Sequence, residues 1–207
     1  MKVKVKICGI RNEMEIKLIN DFRPDYAGFI FLPNSRRFVA PEYAGLLRAK
    51  LRSNIEAVGV FYDETLETVA MTAETAGLDF VQLNGHENGE YVSALREYTH
   101  CQIIKSFEIH TAMDVERAMG SRADFVMLSG GSKDGDKFDW SYVSHARRKY
   151  FLSGGLNPEN VTQALLLNPV PYCLDVCSGV EAKRLKDFRK VMKFINTVRE
   201  SKAEVFE

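Results

Sequence analysis

Two short segments that contain glycine are the first candidates for chemistry. Residues 153–156 read SGGL and residues 177–181 read CSGVE, and each directly follows a short apolar run. Glycine lets the backbone approach an anion closely, and the N–H groups at the start of a following helix can bind that anion. The competing interpretation is two tight turns that need glycine only for their geometry. We favour a phosphate site, because the segments follow the last two apolar runs, where barrel folds often bind phosphate.

Cys8 and a pair of arginines are candidates for proton transfer and anion binding. Cys8 ends the first apolar run and is followed by Gly9. A single cysteine is ordinarily a small buried apolar residue, but beside a cation or an anion-binding turn it can act as a thiolate base. Arg36 and Arg37 follow the second run, where they can hold an anionic substrate or form a solvated pair on a loop. The residues alone leave these alternatives open.

The sequence contains no complete nucleotide-binding or metal-binding motif. Gly130 and Gly135 have the spacing of a nucleotide-binding P-loop, but Asp136 stands where that motif needs lysine. No G-x-G-x-x-G segment follows an apolar run, which argues against a dinucleotide site. The four cysteines form no C-x-x-C pair and the four histidines form no cluster with metal-ligand spacing. We therefore predict no metal site.

The composition is that of an ordinary globular protein. The chain has 207 residues, 28 basic and 28 acidic side chains, and 45% apolar residues. This length predicts one domain with a sizeable core, and zero net charge argues against a general binder of nucleic acid or anionic membranes. No apolar run approaches the roughly 18 residues of a membrane span, and the alternating start MKVKVK is not a signal peptide. With few cysteines, we expect free thiols and a cytoplasmic location.

Eight short apolar runs alternate with helical patterns along the whole chain. The runs occupy residues 3–8, 26–31, 57–61, 80–83, 102–107, 125–128, 150–153 and 172–176. The helical patterns occupy residues 12–22, 41–51, 65–76, 90–98, 113–119, 140–148, 158–167 and 185–200. For the third helix we expect Asp63 as N-cap and Gly77 as C-cap.

Strands that alternate with helices predict a parallel sheet with right-handed crossovers. Eight such units without a linker predict a single (β/α)8 barrel domain over residues 1–207, and an open doubly wound sheet of fewer strands is the alternative. Active sites of barrels lie at the carboxyl ends of the strands. The candidate site positions are therefore residues 8–9, 34–37, 82–85, 129–139, 153–156 and 175–181.

Eight segments carry motifs that are highly specific when taken together. They read VKICGIRN at 5–12, YAGFIF at 26–31, SRRFV at 35–39, VGVF at 58–61, VQLNGHE at 81–87, KFDW at 137–140, LSGGLNPENV at 152–161 and DVCSGVE at 175–181. They span nearly the whole chain, and on them the chain resembles the phosphoribosylanthranilate isomerase family of tryptophan biosynthesis.

The resemblance implies a (β/α)8 barrel of the ribulose-phosphate-binding type and an Amadori rearrangement without a cofactor. In this reaction a general acid opens the furanose ring of phosphoribosylated anthranilate and a base acts at C2. The resemblance implies that Cys8 is the base and that Arg37 and Asp175 contact the substrate. It also implies that backbone N–H groups in two turns bind the phosphate, at Gly154, Gly155, Cys177 and Ser178. The expected partner is a phosphorylated small molecule, and the expected state is a monomer or a homodimer.

Three single positions depart from the family pattern, as does the loop at residues 132–135, which reads SKDG where the family has G-G-x-G. Ser129 stands where the family has its general-acid aspartate, Asn84 stands in place of a histidine, and Cys177 in place of a serine. We take Ser129 as the second catalytic position, although a serine hydroxyl is far too weak an acid to replace a carboxylic acid directly. A displaced acid such as Asp134 or Asp136, or ring opening without an enzymatic acid, would preserve the isomerase. The alternatives are a barrel that acts on another sugar phosphate and a phosphometabolite-binding barrel without turnover.

Overall fold

The computed structural model describes residues 1–130 and 138–205. Eight strands form a closed barrel in the order of the sequence, which confirms the predicted fold class and rules out the open sheet. The strands are β1 Lys4–Cys8, β2 Tyr26–Ile30, β3 Glu56–Phe61, β4 Phe80–Leu83, β5 Gln102–Glu108, β6 Phe125–Ser129, β7 Tyr150–Ser153 and β8 Cys173–Val176. The α-helices are α1 Glu13–Phe22, α2 Pro41–Arg48, α3 Leu66–Ala76, α4 Gly89–Leu95, α5 Ala112–Met119, α6 Val161–Ala164 and α7 Phe188–Glu200.

Every predicted apolar run is a barrel strand, with its ends shifted by at most one residue. The strands pair in parallel, so that Val58 of β3 lies opposite Gly28 of β2 and Phe80 of β4. Five of the six residues of β3 are buried, in an unbroken run rather than in alternation. A strand that is covered on both faces needs apolar residues on both, which is why a short continuous apolar run identifies these strands.

The caps of α3 test two predictions. Gly77 ends the helix at φ 62°, so the predicted C-cap is confirmed. The predicted N-cap is wrong, because the side chain of Thr65, and not that of Asp63, accepts a hydrogen bond from the N–H of Thr68, at 3.2 Å. Asp63 itself has φ 52° and bonds to His86 instead. Asp63, three positions before α3, therefore binds the loop after β4 instead of capping the helix.

Three helices near the carboxyl terminus are shorter than predicted. Residues 140–148 contain the 3-10 helix Trp140–His145, and residues 158–167 contain only α6. Residues 185–200 do not begin as a helix, since Leu185–Lys186 forms β10, which pairs antiparallel with β9 Glu181–Ala182. Asp187 lies in extended backbone and its carboxylate accepts from the N–H of Lys190, so α7 begins after it.

The chain divides into two compact units. One comprises the described parts of Met1–Lys6, Phe107–Ser121 and Val126–Glu207, and the other comprises Ile7–Ser106 and Arg122–Phe125. The first contains all of β7 and β8, and the second contains all of β2, β3 and β4. Among the described residues, no helix is long and apolar enough to cross a membrane.

Candidate active site

A chain of polar side chains, two of them buried, links β1, β8 and β7. The Nζ atom of Lys6 donates to Oδ1 of Asp175 at 3.0 Å, and the hydroxyl of Ser153 donates to Oδ2 at 3.0 Å. Lys6 is completely buried and Asp175 is 5% exposed. A buried carboxylate is tolerated only when it is paired and hydrogen-bonded. Because both oxygens of Asp175 have donors, this predicted substrate contact is held in one orientation.

Sequence reasoning predicted Asp175 but did not single out Lys6. A usable signal was present, because Lys6 interrupts a run that is otherwise apolar from Val5 to Cys8. Side chains alternate along a strand, so Lys6 points to the same side of β1 as Cys8. A lysine on that side of a barrel strand needs a buried anion as its partner.

Cys8 lies at the carboxyl end of β1 and is 5% exposed. The next residue, Gly9, has φ 79°, and the N–H groups of Gly9 and Ile10 both donate to the carbonyl of Gly28 at 2.9 Å. A Cβ atom on Gly28 would lie 2.8 Å from the Cys8 sulfur, which is too close. Gly28 therefore provides the space that the thiol occupies.

Arg37 lies in a tight turn that follows β2. The N–H of Arg37 donates to the hydroxyl of Ser35 at 3.1 Å, and the N–H of Phe38 donates to the carbonyl of Ser35 at 3.0 Å. Arg36 is exposed and its carbonyl accepts from the guanidinium of Arg11 at 3.2 Å, whereas Arg37 is half-buried. Of the two arginines, Arg37 is therefore the one in a partly enclosed environment, where an anion is bound more strongly than in bulk water.

The end of β4 carries a glutamine and an asparagine. The Gln82 side chain is buried and its Nε2 donates to Oδ1 of Asn84 at 2.9 Å. The backbone N–H of Asn84 donates to the carbonyl of Phe61 at 2.9 Å. Asn84 is exposed, so its side chain is accessible to solvent.

A buried ion pair fixes the turn after β4. The Nζ atom of Lys105 lies 3.1 Å from Oε2 of Glu87 and also donates to the carbonyls of Leu83, Gly85 and Ser106 at 3.3, 2.7 and 3.2 Å. Glu87 in turn accepts from the N–H of Asp63 at 2.8 Å. Sequence reasoning did not find this cluster, because its members lie on separate segments.

Asp63 and His86 form a second, exposed pair on the same turns. The His86 ring lies 2.7 Å from Oδ2 of Asp63, and the backbone N–H of His86 donates to Oδ1. These hydrogen bonds, the side-chain one first, hold the pKa of Asp63 below its ordinary value. The loops after β3 and β4 are thus tied together by the bond from the Asp63 N–H to Glu87 and by the exposed hydrogen bonds between Asp63 and His86.

The two predicted glycine turns lie against each other. Gly154 and Gly155 have φ of 92° and 67°, and a Cβ atom on Gly154 would lie 2.7 Å from the backbone N of Gly130. In the turn after β8, a Cβ atom on Gly179 would overlap the carbonyl oxygen of Leu156. Left-handed backbone and close approach are the two conditions that require glycine. The sequence segments SGGL and CSGVE therefore form one packed pair of turns.

Ser129 ends β6 and lies in register with Ser153 of β7. Its carbonyl accepts from the N–H of Ile109 at 2.9 Å, and the residue is half-buried. Ser129 is thus a neighbour of the strand end that supports Asp175. The two candidate replacement acids, Asp134 and Asp136, lie outside the described residues.

All four cysteines are free thiols. Within residues 1–130 and 138–205, no group of three or more His, Cys, Asp or Glu side chains is arranged to hold a metal ion.

A closed parallel barrel with polar residues at the carboxyl ends of its strands defines the class of the (β/α)8-barrel enzymes. The family model for N-(5'-phosphoribosyl)anthranilate (PRA) isomerase matches residues 5–197. The chain belongs to the N-(5'-phosphoribosyl)anthranilate isomerase family. The expectation from the sequence motifs is therefore confirmed at the level of the family.

Individual relatives agree over nearly the full length. The N-(5'-phosphoribosyl)anthranilate isomerase of Clostridium kluyveri is 40% identical over 204 residues, which are 97% of this chain and 100% of the relative. The crystal structure of the Thermus thermophilus isomerase superposes with a TM-score of 0.87 at 31% identity, covering 95% of this chain and 98% of the other. A family structure in complex with reduced 1-(o-carboxyphenylamino)-1-deoxyribulose 5-phosphate has a TM-score of 0.84, 35% identity and coverage of 95% and 98%.

Proposed function

We propose that this protein isomerises N-(5'-phosphoribosyl)anthranilate to 1-(2-carboxyphenylamino)-1-deoxyribulose 5-phosphate in tryptophan biosynthesis. The observation that carries the proposal is membership of the isomerase family over residues 5–197. In this proposal residues 1–207 act as one barrel domain, and their free thiols suit a cytoplasmic location.

The reaction is an internal transfer of protons. Protonation of the furanose oxygen opens the ring and gives the iminium form of the substrate. Removal of the proton from C2 then gives an enolamine, which becomes the ketone when a proton is delivered to C1 and the hydroxyl on C2 loses its proton. No atom is lost and no external oxidant or reductant is needed, so the side chains must supply one acid and one base.

Cys8 is the base in this proposal. Its thiol ends β1, where active sites of barrels lie, and Gly28 leaves room for it. Asp175, fixed by Lys6 and Ser153, is a permanent acceptor for a substrate hydroxyl or amine. Arg37 is the cation available to the anthranilate carboxylate.

The phosphate binds over the paired glycine turns. Gly154, Gly155, Cys177 and Ser178 offer backbone N–H groups in segments that a side chain at Gly154 or Gly179 would distort. Backbone N–H groups in such turns bind phosphate without a metal. Phosphate binding is the part of the proposal that the alternative functions share.

The group that protonates the ring oxygen is the one role that no residue fills directly in this proposal. Ser129 stands at the end of β6 and cannot protonate the ring oxygen efficiently. Asp134 or Asp136 then supplies the proton, or ring opening proceeds without an enzymatic acid. The serine at this position is the specific observation that favours the second candidate, a barrel that binds the sugar phosphate without rapid turnover.

Turnover of phosphoribosylanthranilate by the purified protein tests the proposal. We expect turnover that is lost in Cys8→Ser, together with rescue of a tryptophan auxotroph that lacks this step. Tight binding of reduced 1-(o-carboxyphenylamino)-1-deoxyribulose 5-phosphate without turnover would instead support the binding protein. Turnover of only a different aminoaldose phosphate would show that the barrel serves another isomerisation.

A further inference from the structure

Lys186 is a buried lysine that neither the sequence motifs nor the proposed reaction uses. Its side chain has no exposed surface, and its Nζ atom donates to Oε1 of Glu181 at 3.0 Å and to the carbonyl of Cys177 at 3.0 Å. The Cys177 sulfur lies 3.8 Å from the same nitrogen. The ammonium group therefore sits directly against the first residue of the turn that follows β8.

The β9–β10 hairpin is what brings Lys186 back to this turn. Lys183 and Arg184 reverse the chain with φ of 50° and 69°, so that Lys186 pairs with Glu181 in the two-stranded ladder. The hairpin is also tied to the turn by the N–H of Asp187, which donates to the carbonyl of Val180 at 2.8 Å. This short hairpin, with its two left-handed residues, thus places a buried ammonium group beside the turn.

The bond to the Cys177 carbonyl determines where the next N–H group points. In a planar trans peptide the C=O of one residue and the N–H of the following residue point in opposite directions. Because the Cys177 carbonyl is directed at Lys186, the N–H of Ser178 is directed away from it. Without the ammonium group this peptide could rotate, and the N–H could turn away from a ligand.

We propose that Lys186, held by Glu181, is a positioning residue that orients the Ser178 peptide to bind the substrate phosphate. This inference rests on the proposed function, since it concerns the same phosphate site. The ammonium group is already paired with a carboxylate, so its part is to fix the peptide rather than to act as the direct counter-ion of the phosphate. In this proposal the role of Glu181, the glutamate of the CSGVE segment, is to hold the Lys186 ammonium group in place.

The test is the double variant Lys186→Met/Glu181→Leu, which removes both charges and so leaves no unpaired buried ion. Inorganic phosphate, measured as a competitive inhibitor of isomerisation, should bind about tenfold more weakly, as expected when a hydrogen bond to a charged ligand is lost. The KM for phosphoribosylanthranilate should rise in parallel while kcat changes little, because the reacting atoms are untouched. An inhibition constant and KM that stay at the wild-type values in the folded variant would overturn the proposal.

The matched control is Lys105→Met/Glu87→Leu, which removes the other buried lysine–glutamate pair. A general loss of stability should be similar in the two variants, and thermal unfolding measures it. Only the Lys186 variant should lose affinity for inorganic phosphate. Equal loss of phosphate affinity in both would show that Lys186 acts through stability alone.

A measurement on the wild-type protein covers the case in which the variant does not fold. Hydrogen exchange of the peptide that spans residues 177–186 should slow when inorganic phosphate is added, because the Ser178 N–H then has a partner. Unchanged exchange in this segment would overturn the proposal. If the wild-type protein neither turns over phosphoribosylanthranilate nor responds to phosphate, the proposed function fails. If the wild-type protein does both and the Lys186→Met/Glu181→Leu variant binds phosphate equally well, only this inference fails.

Discussion

The Cys8 thiol occupies space that Gly28 leaves free at the end of β1, and we propose this thiol as the base. We expect Cys8→Ser to lower kcat by about 10²–10⁴, the usual contribution of a general base, with little change in KM. An alkoxide forms far less readily than a thiolate at neutral pH, which is the reason for the loss. Steady-state kinetics measures both constants.

Cys101→Ser is the control for this variant. The Cys101 sulfur donates to the carbonyl of Leu78 at 3.1 Å, a bond that a serine hydroxyl can also make. Its kcat should stay at the wild-type value. Near-wild-type kcat in Cys8→Ser would remove the assignment of Cys8 as the base.

Ser129 is the residue at which an acid can be restored. An aspartate in this half-buried place can protonate the ring oxygen, and a general acid typically contributes about 10²–10⁴ in rate. We expect Ser129→Asp to raise kcat/KM and to add a new ionisation to its pH profile, whereas Ser129→Asn, of nearly the same shape, should do neither.

The loop aspartates decide between the two outcomes at this position. If Asp134 or Asp136 already supplies the proton, the corresponding Asp→Asn variant should lose activity and Ser129→Asp should bring no gain. If all three substitutions are silent, ring opening is not limited by the enzyme. In that case the expectation for Ser129→Asp is wrong.

The packing of the paired glycine turns against each other leaves no room for one added methyl group. A methyl group at Gly179 would overlap the Leu156 carbonyl, and backbone cannot move aside as a flexible side chain can. We expect Gly179→Ala to lower the free energy of unfolding by about 2–4 kcal/mol and to weaken phosphate inhibition. Urea denaturation and phosphate titration measure the two effects.

Gly120→Ala is the matched glycine control. Gly120 follows α5 with φ −80°, which any residue adopts, and the nearest atom to an added Cβ is 3.5 Å away. Its free energy of unfolding should change by less than about 1 kcal/mol. Equal effects of the two substitutions would mean that the turns do not pack as closely as the structure shows.

The stability of the whole molecule should reflect the Asp63–His86 pair. The hydrogen bonds from His86 lower the pKa of Asp63 from its ordinary value of 3.8. A carboxylate with a lowered pKa stabilises the folded state above its ordinary pKa, and this contribution is lost as the pH falls through the folded-state value. Because Asp63 is 41% exposed, the contribution is small and screened by salt.

Asp63→Asn isolates this contribution. Asparagine tolerates the left-handed backbone of this position and can still accept from the His86 N–H. Urea denaturation at a series of pH values should show that wild type loses its advantage over Asp63→Asn as the pH falls below about 3.8. Two curves that stay parallel down to the lowest pH would contradict the expectation.

The sequence by itself predicted the eight strands, the closed barrel and the paired glycine turns. These features depend on local rules, since a strand buried on both faces must be an apolar run and a left-handed turn favours glycine. The same locality explains why the sequence could assign Cys8, Ser129 and Asp175 to strand ends and Arg37 to the loop after β2. Motif order then identified the family, because the segments recur at fixed strand positions.

Only the tertiary structure decided how the polar residues are paired. Lys6 meets Asp175 across 169 positions of the chain, and Lys105 meets Glu87 across 18. Residues 185–186 were predicted as the start of the last helix, but they form β10, which pairs with β9, and Leu185 is 47% exposed. The partner of a buried charge is set by packing between segments that are distant in sequence. Local sequence patterns therefore do not predict which residue that partner is.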